Sequence, residues 1–598
     1  MALKETLLDG KSKALAWTRD QDALYMVVLA VAVGVLAAYA ALILRFMIEW
    51  VSLFWTGART WETVIDTMPW YMYLLAPTLT GLVVGWIAVH FLPGGELRGV
   101  AGVLADLVQR KARVHPRQLV TETIGGALAI GGGASLGREG PTVALGALLA
   151  SEIGQRLGLT EQQLRILIGC GVAAGLAASF NTPIAGTLFA LEVILADYAI
   201  ATFGPIVIAS VLATVISRSE LGNYPAFTVP EYQLISTWEI PSYLVIGALC
   251  GLVASVFIKA MVPTRLWLMK TMPNPYLRPM LVGLTIGLMG LVLPQVMSIG
   301  YGTVEDMMLE RIQPELLGVA LPLAGFLAIV LVGKLVATIL SAAGGFPGGL
   351  FGPALFLGAT VGALCGDIAH AISPAYSESY GAYALVACGA LTAAALQAPL
   401  TVILIVFEMT ANYQIMLPLM AACSVATLVT RTFGRASVFT EALEERGIEA
   451  HWGLEQSWMR SVSVSRIPWR SIPSVSETTR LDKLKQVYTE SGKGCVQVVD
   501  DDGSMVGIVT FSDLQKWLID SALDQVIVAS EVVNRNVLVI SETDSLLDAI
   551  HILDREEFEQ MPVVAADNPR KVLGVLSRNA IFSTYHKMIV KHGERERG

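Results

Sequence analysis

The segment GGGASLGREGPTVALGA, residues 131–147, sets three glycines, the charged pair Arg138 and Glu139, and a Gly-Pro step inside a long apolar stretch. Proline at the first helical position loses nothing through its missing N–H, and glycine just ahead of it lets the chain turn in. Gly140-Pro141 therefore predicts a helix N-terminus, with a carboxylate standing at it. If the surroundings are hydrocarbon, such irregular backbone is tolerated only where it is buried in protein or lines a watery cavity.

Composition makes the surroundings hydrocarbon. Of 598 residues, 54% are hydrophobic and 15% charged, with a mean hydropathy of +0.60, outside the balance of a soluble globular chain. Runs such as LYMVVLAVAVGVLAAYAALIL (24–44), YLLAPTLTGLVVGWIAVHFL (73–92) and AGFLAIVLVGKLVATIL (324–340) are long enough to cross a core of about 30 Å. Residues 23–435 read as an all-α polytopic membrane domain behind a cytoplasmic segment, 1–22, and no cleavage site closes the first run. Lys4, Lys11, Lys13 and Arg19 precede that run and Arg431 and Arg435 follow the last, which predicts a multi-pass protein of the cell membrane with both termini cytoplasmic. Membrane lipid is thus an expected partner. Cys170, Cys250, Cys365, Cys388, Cys423 and Cys495 form no C-x-x-C pair and read as reduced core residues, with no disulfide framework and no metal site. The net charge of -9 reflects acids in the polar C-terminal part, and no feature points to a nucleic-acid partner.

The apolar part repeats itself. GPTVALGA from Gly140 matches GPALFLGA from Gly352, and NTPIAGTLFALE (181–192) matches QAPLTVILIVFE (397–408), with Pro183 before Glu192 and Pro399 before Glu408 at equal spacing. Two homologous halves follow, about 23–225 and 240–435, and the repeat by itself leaves open whether they are parallel or inverted. Two helix starts brought together from the two halves would pool unpaired N–H groups into a pocket of positive potential that suits a small anion. Partial charges of this kind, worth about 0.3 to 2 kcal/mol each, favour passage over trapping. Glu139, itself an anion, could then fill the anion's place when ionised and vacate it when protonated or displaced.

After residue 435 the composition changes. A linker, 436–463, leads to a soluble α/β module in which SVSETTRLDKL (474–484) is answered by VISETDSLLDA (539–549), and VGIVTFSDL (506–514) by LGVLSRNAI (573–581). The pair resembles tandem CBS domains, 464–524 and 525–590.

The membrane part resembles the CLC family of chloride channels and chloride/proton antiporters. GREGP (137–141) looks like the family's gating-glutamate motif and GGFPGGLFGP (344–353) like its second selectivity-filter motif; FNTPIAGTLFALE (180–192) and VFEMTANYQIMLPLM (406–420) also match. The resemblance implies the CLC fold of two inverted structural repeats with broken helices. It implies a homodimer with one pore per subunit, Glu139 as gate, and chloride held by backbone N–H groups of Arg138, Gly140, Leu350 and Phe351. It implies no required cofactor, and an adenine nucleotide (ATP, ADP or AMP) at the CBS pair, with Thr510 and Asp513 at the phosphate and ribose positions. Against that last expectation, Ser512 and Asp513 also read as an ordinary helix start.

Three positions depart from the family pattern. Val193 stands where coupled antiporters carry an inner proton glutamate, Arg98 falls at the central-serine position, and Phe439 falls at the central-tyrosine position. Arg98 is open to three readings: a full charge in the path, a turn toward an acidic partner, or stronger anion entry. The loss at 193 favours a voltage- or pH-dependent chloride channel with CBS regulation, the alternative being a chloride/proton antiporter. A remote alternative, an intramembrane serine hydrolase, rests on GASLG (133–137) as a nucleophile elbow with Ser135. The expected protein is no enzyme, and Glu192 and Glu408 read as helix-end or interface residues in preference to ion ligands.

Overall fold

In hydrocarbon a backbone must satisfy its own N–H and C=O groups, and the described residues of the first unit, Met1–His451, do so mainly with helices. The computed structural model describes residues 22–584 apart from 65–66, 92–98, 110–111, 113–115, 223–226, 228–238, 373–379, 435–436, 446–458, 460–461, 518–523, 536 and 556–558. The first half carries α1 Asp22–Thr56, α2 Trp70–Phe91, α3 Gly99–Gln109, α4 Pro116–Gly131, α5 Glu139–Arg156, α6 Glu161–Phe180, α7 Pro183–Phe189 and α8 Ile200–Leu221. The second carries α9 Ile240–Thr271, α10 Leu277–Val292, α11 Tyr301–Met308, α12 Leu323–Ala343, α13 Phe351–Ile372, α14 Tyr380–Leu396, α15 Pro399–Thr410, α16 Met416–Phe433 and α17 Val438–Glu444. Among the described residues eight helices are long and apolar enough to cross a membrane, and shorter apolar ones such as Pro399–Thr410 lie among them.

The two halves meet at their glycines. Gly137 N–H donates to Gly349 O at 2.8 Å and Gly349 N–H to Gly137 O at 2.6 Å, an antiparallel bridge. Gly137 and Gly349 are repeat-mates, spaced as Gly140 and Gly352 are, so a local two-fold axis runs through this bridge. The packing repeats about it: Gly146 of α5 lies on the Gly171 carbonyl of α6, and Gly358 of α13 on the Ala387 carbonyl of α14, and a methyl at either glycine would collide with that backbone.

The same symmetry appears in the caps. Glu192, in the π-helical turn Ala190–Leu195 that continues α7, accepts from the N–H groups of Leu400 (3.3 Å) and Thr401 (2.7 Å) at the start of α15. Glu408, late in α15, accepts from Ile184 (3.0 Å) and Ala185 (2.8 Å) at the start of α7. Each half therefore supplies the carboxylate that the other half's proline-led helix lacks, which places Glu192 and Glu408 at helix ends as the repeat suggested.

The second unit, Trp452–Gly598, holds two three-stranded sheets. Numbering strands after the small hairpin β1 Glu315–Leu316 and β2 Val319–Ala320, the first sheet is β3 Ser474–Ser476, β4 Cys495–Val499 and β5 Met505–Thr510, with β3 parallel and β5 antiparallel to β4. The second repeats it with β6 Ile540–Ser541, β7 Gln560–Ala565 and β8 Asn568–Ser577. Apolar alternation drives Val496, Val498 and Val509 into one core and Ile540, Val563 and Leu576 into the other. The modules exchange their leading segments. Val464 and Ile467 pack into the second core, while Ile527, Ala529 and Val532 pack into the first, so a cut at 524/525 divides segments that cross over in space.

Candidate anion site

The site is assembled from helix starts. α5 begins at Glu139, with Arg138 as its cap residue and no side-chain cap, and α13 begins at Phe351. First-turn N–H groups have no partner within their own helix, so the two starts concentrate donors on either side of the Gly137–Gly349 bridge. Glycine is required for so close an approach. A Cβ on Gly349 would lie 2.5 Å from the Gly140 nitrogen, and one on Gly140 would lie 2.7 Å from the Gly349 Cα.

Glu139 is 2% exposed. Its side chain folds back over its own helix start, where Oε1 accepts a hydrogen bond from the Tyr301 hydroxyl. Oε2 sits against the backbone of Gly137 and Gly352, has no partner of good hydrogen-bond geometry, and would be 3.4 Å from a Cβ at Gly352. A buried carboxylate oxygen at a seam between two helix starts occupies the ground that an anion of similar size would take.

Two cavities flank this seam. One of about 480 Å³ is bordered by Arg45, Glu49, Glu62, Arg138, Phe180 and Tyr301. The other, about 170 Å³, is bordered by Glu122, Gly140, Gly348, Gly349, Leu350 and Phe439. Arg138 borders the first, Gly140 the second, and Glu139 between them borders neither.

The residues singled out in the sequence thus converge in part. Arg138, Gly140 and Leu350 lie at the seam, and Phe351 packs its ring on Phe180 with centroids 5.2 Å apart. Phe439, on the short α17 started by a Ser437–Thr440 capping box, presents an apolar ring to the second cavity. Val193, half-buried beside Glu192, offers no titratable group. Arg98 lies outside the described residues, although its neighbour Gly99 borders the second cavity. Thr510 and Asp513 are engaged with each other: Asp513 Oδ2 accepts from the Thr510 N–H at 2.8 Å and from its hydroxyl at 2.7 Å, a capping box.

Ser135 is held by the second half. It is fully buried, its hydroxyl shares a 3.1 Å hydrogen bond with Thr338, and its N–H donates to Ser341 Oγ at 3.1 Å, while His90 lies against Trp86 and Tyr276. Among the described residues nothing supports the hydrolase alternative: the Ser135 hydroxyl meets Thr338 in place of a histidine.

Residues 80–431 match the family described as voltage gated chloride channel, and residues 464–520 and 529–587 match the CBS domain. The chain belongs to the voltage-gated chloride channel family. It is 30% identical to the voltage-gated ClC-type chloride channel ClcB of Escherichia coli K12, over 70% of this chain and 98% of that protein. It is 28% identical to chloride channel protein CLC-f of Arabidopsis thaliana, over 87% of this chain and 74% of that one. Among solved structures, a slow cyanobacterial Cl-/H+ antiporter superposes with a TM-score of 0.60 at 25% identity, covering 70% of this chain and 96% of that one. A eukaryotic CLC transporter superposes with a TM-score of 0.62 at 19% identity over 93% of this chain, which extends the likeness of fold to the CBS part. The fold is accordingly the CLC arrangement of inverted repeats followed by a CBS pair, and the protein is a multi-pass membrane protein of a chloride-transport family.

Sequence reasoning missed Tyr301, Glu62 and Lys334. Tyr301 begins α11 after Gly300, which takes a left-handed φ of 84°, and its ring is held by Phe227 (5.6 Å), Phe180 (6.4 Å) and the Arg138 guanidinium (5.9 Å). In element order the connection that carries it answers the one between α2 and α3, whose residues 92–98 lie outside the described residues, and no tyrosine stands there in the sequence for the repeat to flag. Lys334 was visible as the one charge in AGFLAIVLVGKLVATIL and signalled more than a membrane span.

Proposed function

We propose that this CLC-family protein conducts chloride through a path gated by Glu139, whose ionised carboxylate holds the seat between the α5 and α13 starts until protonation or chloride displaces it. The observation that carries the reading is the position of Glu139, buried on the seam between two cavities with Oε1 on Tyr301 and Oε2 against Gly137 and Gly352. In the sense the CLC family implies, the cavity at Arg138 faces outward and that at Phe439 inward, with both termini cytoplasmic. Chloride leaving the seat would meet the N–H groups of Gly140 and Leu350 and then an inner cavity from which the central hydroxyl is missing at Phe439. Weak, partial-charge binding of this kind permits release.

Passive conduction is the preferred mode, because Val193 puts an apolar side chain where an inner proton donor would be needed. Exchange with protons is the second reading. Its support is the buried carboxylate of Glu122 on the second cavity, together with the antiporter among the structural relatives. Purified protein in liposomes decides between them: under a chloride gradient, an added pH gradient leaves the reversal potential of a channel unchanged and shifts that of an exchanger. The gate has its own test. Glu139→Gln, which imitates the protonated acid, is expected to make chloride flux independent of pH, and a mutant that keeps the wild-type titration would remove Glu139 from the gate.

The protein is further proposed to act as a homodimer with one path per subunit. At the CBS pair, a bound adenine nucleotide would have to compete with the Thr510–Asp513 capping box, so the nucleotide reading is tied to opening of that box.

A further inference from the structure

Lys334 is a fully buried cation in α12. Its ammonium donates to three backbone carbonyls in succession, Val296 (3.1 Å), Ser298 (2.9 Å) and Ile299 (3.3 Å), and lies 4.6 Å from the centroid of the Phe356 ring. These carbonyls belong to the turn that ends at Gly300, where a Cβ would come 3.2 Å from Lys334 Nζ. On the other side of that turn the Glu62 carboxylate faces the N–H groups of Gly300, Tyr301 and Gly302, and a Cβ on Gly302 would be 3.1 Å from the Glu62 Cβ. A cation gathers the carbonyls before Tyr301 and an anion gathers the N–H groups at it, so each charge stands where the backbone dipoles favour it. Neither side chain touches Glu139.

We propose that Lys334 and Glu62 are positioning residues of the gate: together they clamp residues 296–302 and so hold the Tyr301 hydroxyl where it retains the Glu139 carboxylate in its seat. This rests on the gate reading given above. Fixing one hydroxyl requires fixing its ring, and three side chains already do so laterally; the clamp fixes its height along α11 as well. A lysine buried in a membrane helix is costly unless its donors are satisfied, and here all three are used on a single turn. The charged and titratable groups around the device include Glu62 facing Lys334, Tyr301 and Arg138 facing Glu139, Arg45 facing Arg138 and paired with Glu49, and Arg59 and Glu305 on the same cavity.

The test is the pH dependence of chloride efflux from proteoliposomes, read as the pH of half-maximal flux. Tyr301→Phe removes a donor to the carboxylate, so protonation frees Glu139 at a higher pH; the expected shift is about one unit to the alkaline side, a tenfold change in proton concentration. Lys334→Met is expected to shift the profile in the same direction, and the double variant to shift no further than Tyr301→Phe alone, because both act through one hydroxyl. All these shifts should vanish in a Glu139→Gln background. If Lys334→Met does not yield folded protein, Glu62→Gln enters the same cycle in its place. A clamp variant with the wild-type midpoint, a Tyr301→Phe midpoint that does not move, or shifts that add in the double variant would overturn the clamp. Flux that stays pH-dependent in Glu139→Gln alone would instead overturn the gate, so the two failures are distinguishable.

Discussion

Glu139 is buried on an interface made of backbone, and the residues around it act by what they lack. Glycine at 137, 140, 349 and 352 leaves room for the carboxylate and for the close approach of two helix starts. Gly349→Ala would put a methyl 2.5 Å from the Gly140 nitrogen, which must part the seam. Overpacking of this kind is destabilising by about 1 to 3 kcal/mol, and the expected result is folded protein with little chloride efflux; wild-type efflux would show that the seam is not part of the path. Phe439→Tyr adds a hydroxyl donor to the second cavity. It is expected to lower the half-saturating chloride concentration by about tenfold or more, since a hydrogen bond to a charged group contributes about 1.5 to 3 kcal/mol net of the exchange with water; an unchanged saturation curve would place Phe439 outside the ion's route. In the second unit, burial pushes the Cys495 thiol up to about 11, so a maleimide at neutral pH should leave it unlabelled until the unit is unfolded.

Among elements, the reciprocal caps are the clearest sign that the two halves fold as one. Removing a carboxylate that holds two N–H groups should lower stability by about 1 to 2 kcal/mol per helix start. Glu192→Ala and Glu408→Ala are therefore expected to lower the thermal midpoint of detergent-solubilised protein by similar amounts, with flux retained in whatever remains folded; a large effect from one and none from the other would deny the symmetry. Much of this was legible in the sequence. Gly-Pro steps announce helix starts through local backbone chemistry, and their repetition announces two halves, so α5, α13 and the seam could be read from residues 137–141 and 349–353. That Glu192 caps α15 and Glu408 caps α7 could not, because a cap borrowed from a segment some two hundred residues away leaves no local pattern. Tyr301 was invisible for a related reason: the corresponding stretch of the first half, 92–98, carries no tyrosine, and a tyrosine beside glycines has no spacing that sets it apart. Lys334 was in plain view and was absorbed into an apolar run, when the energetic penalty of a membrane cation should have asked for its partners.

At the scale of the whole molecule, a helical transport unit of the voltage-gated chloride channel family is joined to a CBS pair whose modules exchange leading segments. That exchange makes the pair one cooperative body, because Val464 stabilises the second core and Ile527 the first. Asp513→Ala, which removes the acceptor of the Thr510 capping box, is expected to lower the stability of the second unit by about 1 kcal/mol, read from its transition in a calorimetric scan of the full chain, and to abolish any nucleotide-induced stabilisation; nucleotide protection that survives would move the binding site elsewhere. The central claim is that the Glu139 carboxylate and the anion compete for one place. Its most direct test is a structure of Glu139→Ala in bromide, located by anomalous scattering. The account predicts a bromide at the point vacated by Oε2, bounded by Gly137 and Gly352 and facing the N–H groups of the α5 and α13 starts. A filled path with no bromide at that point, at a concentration that saturates flux, would contradict it.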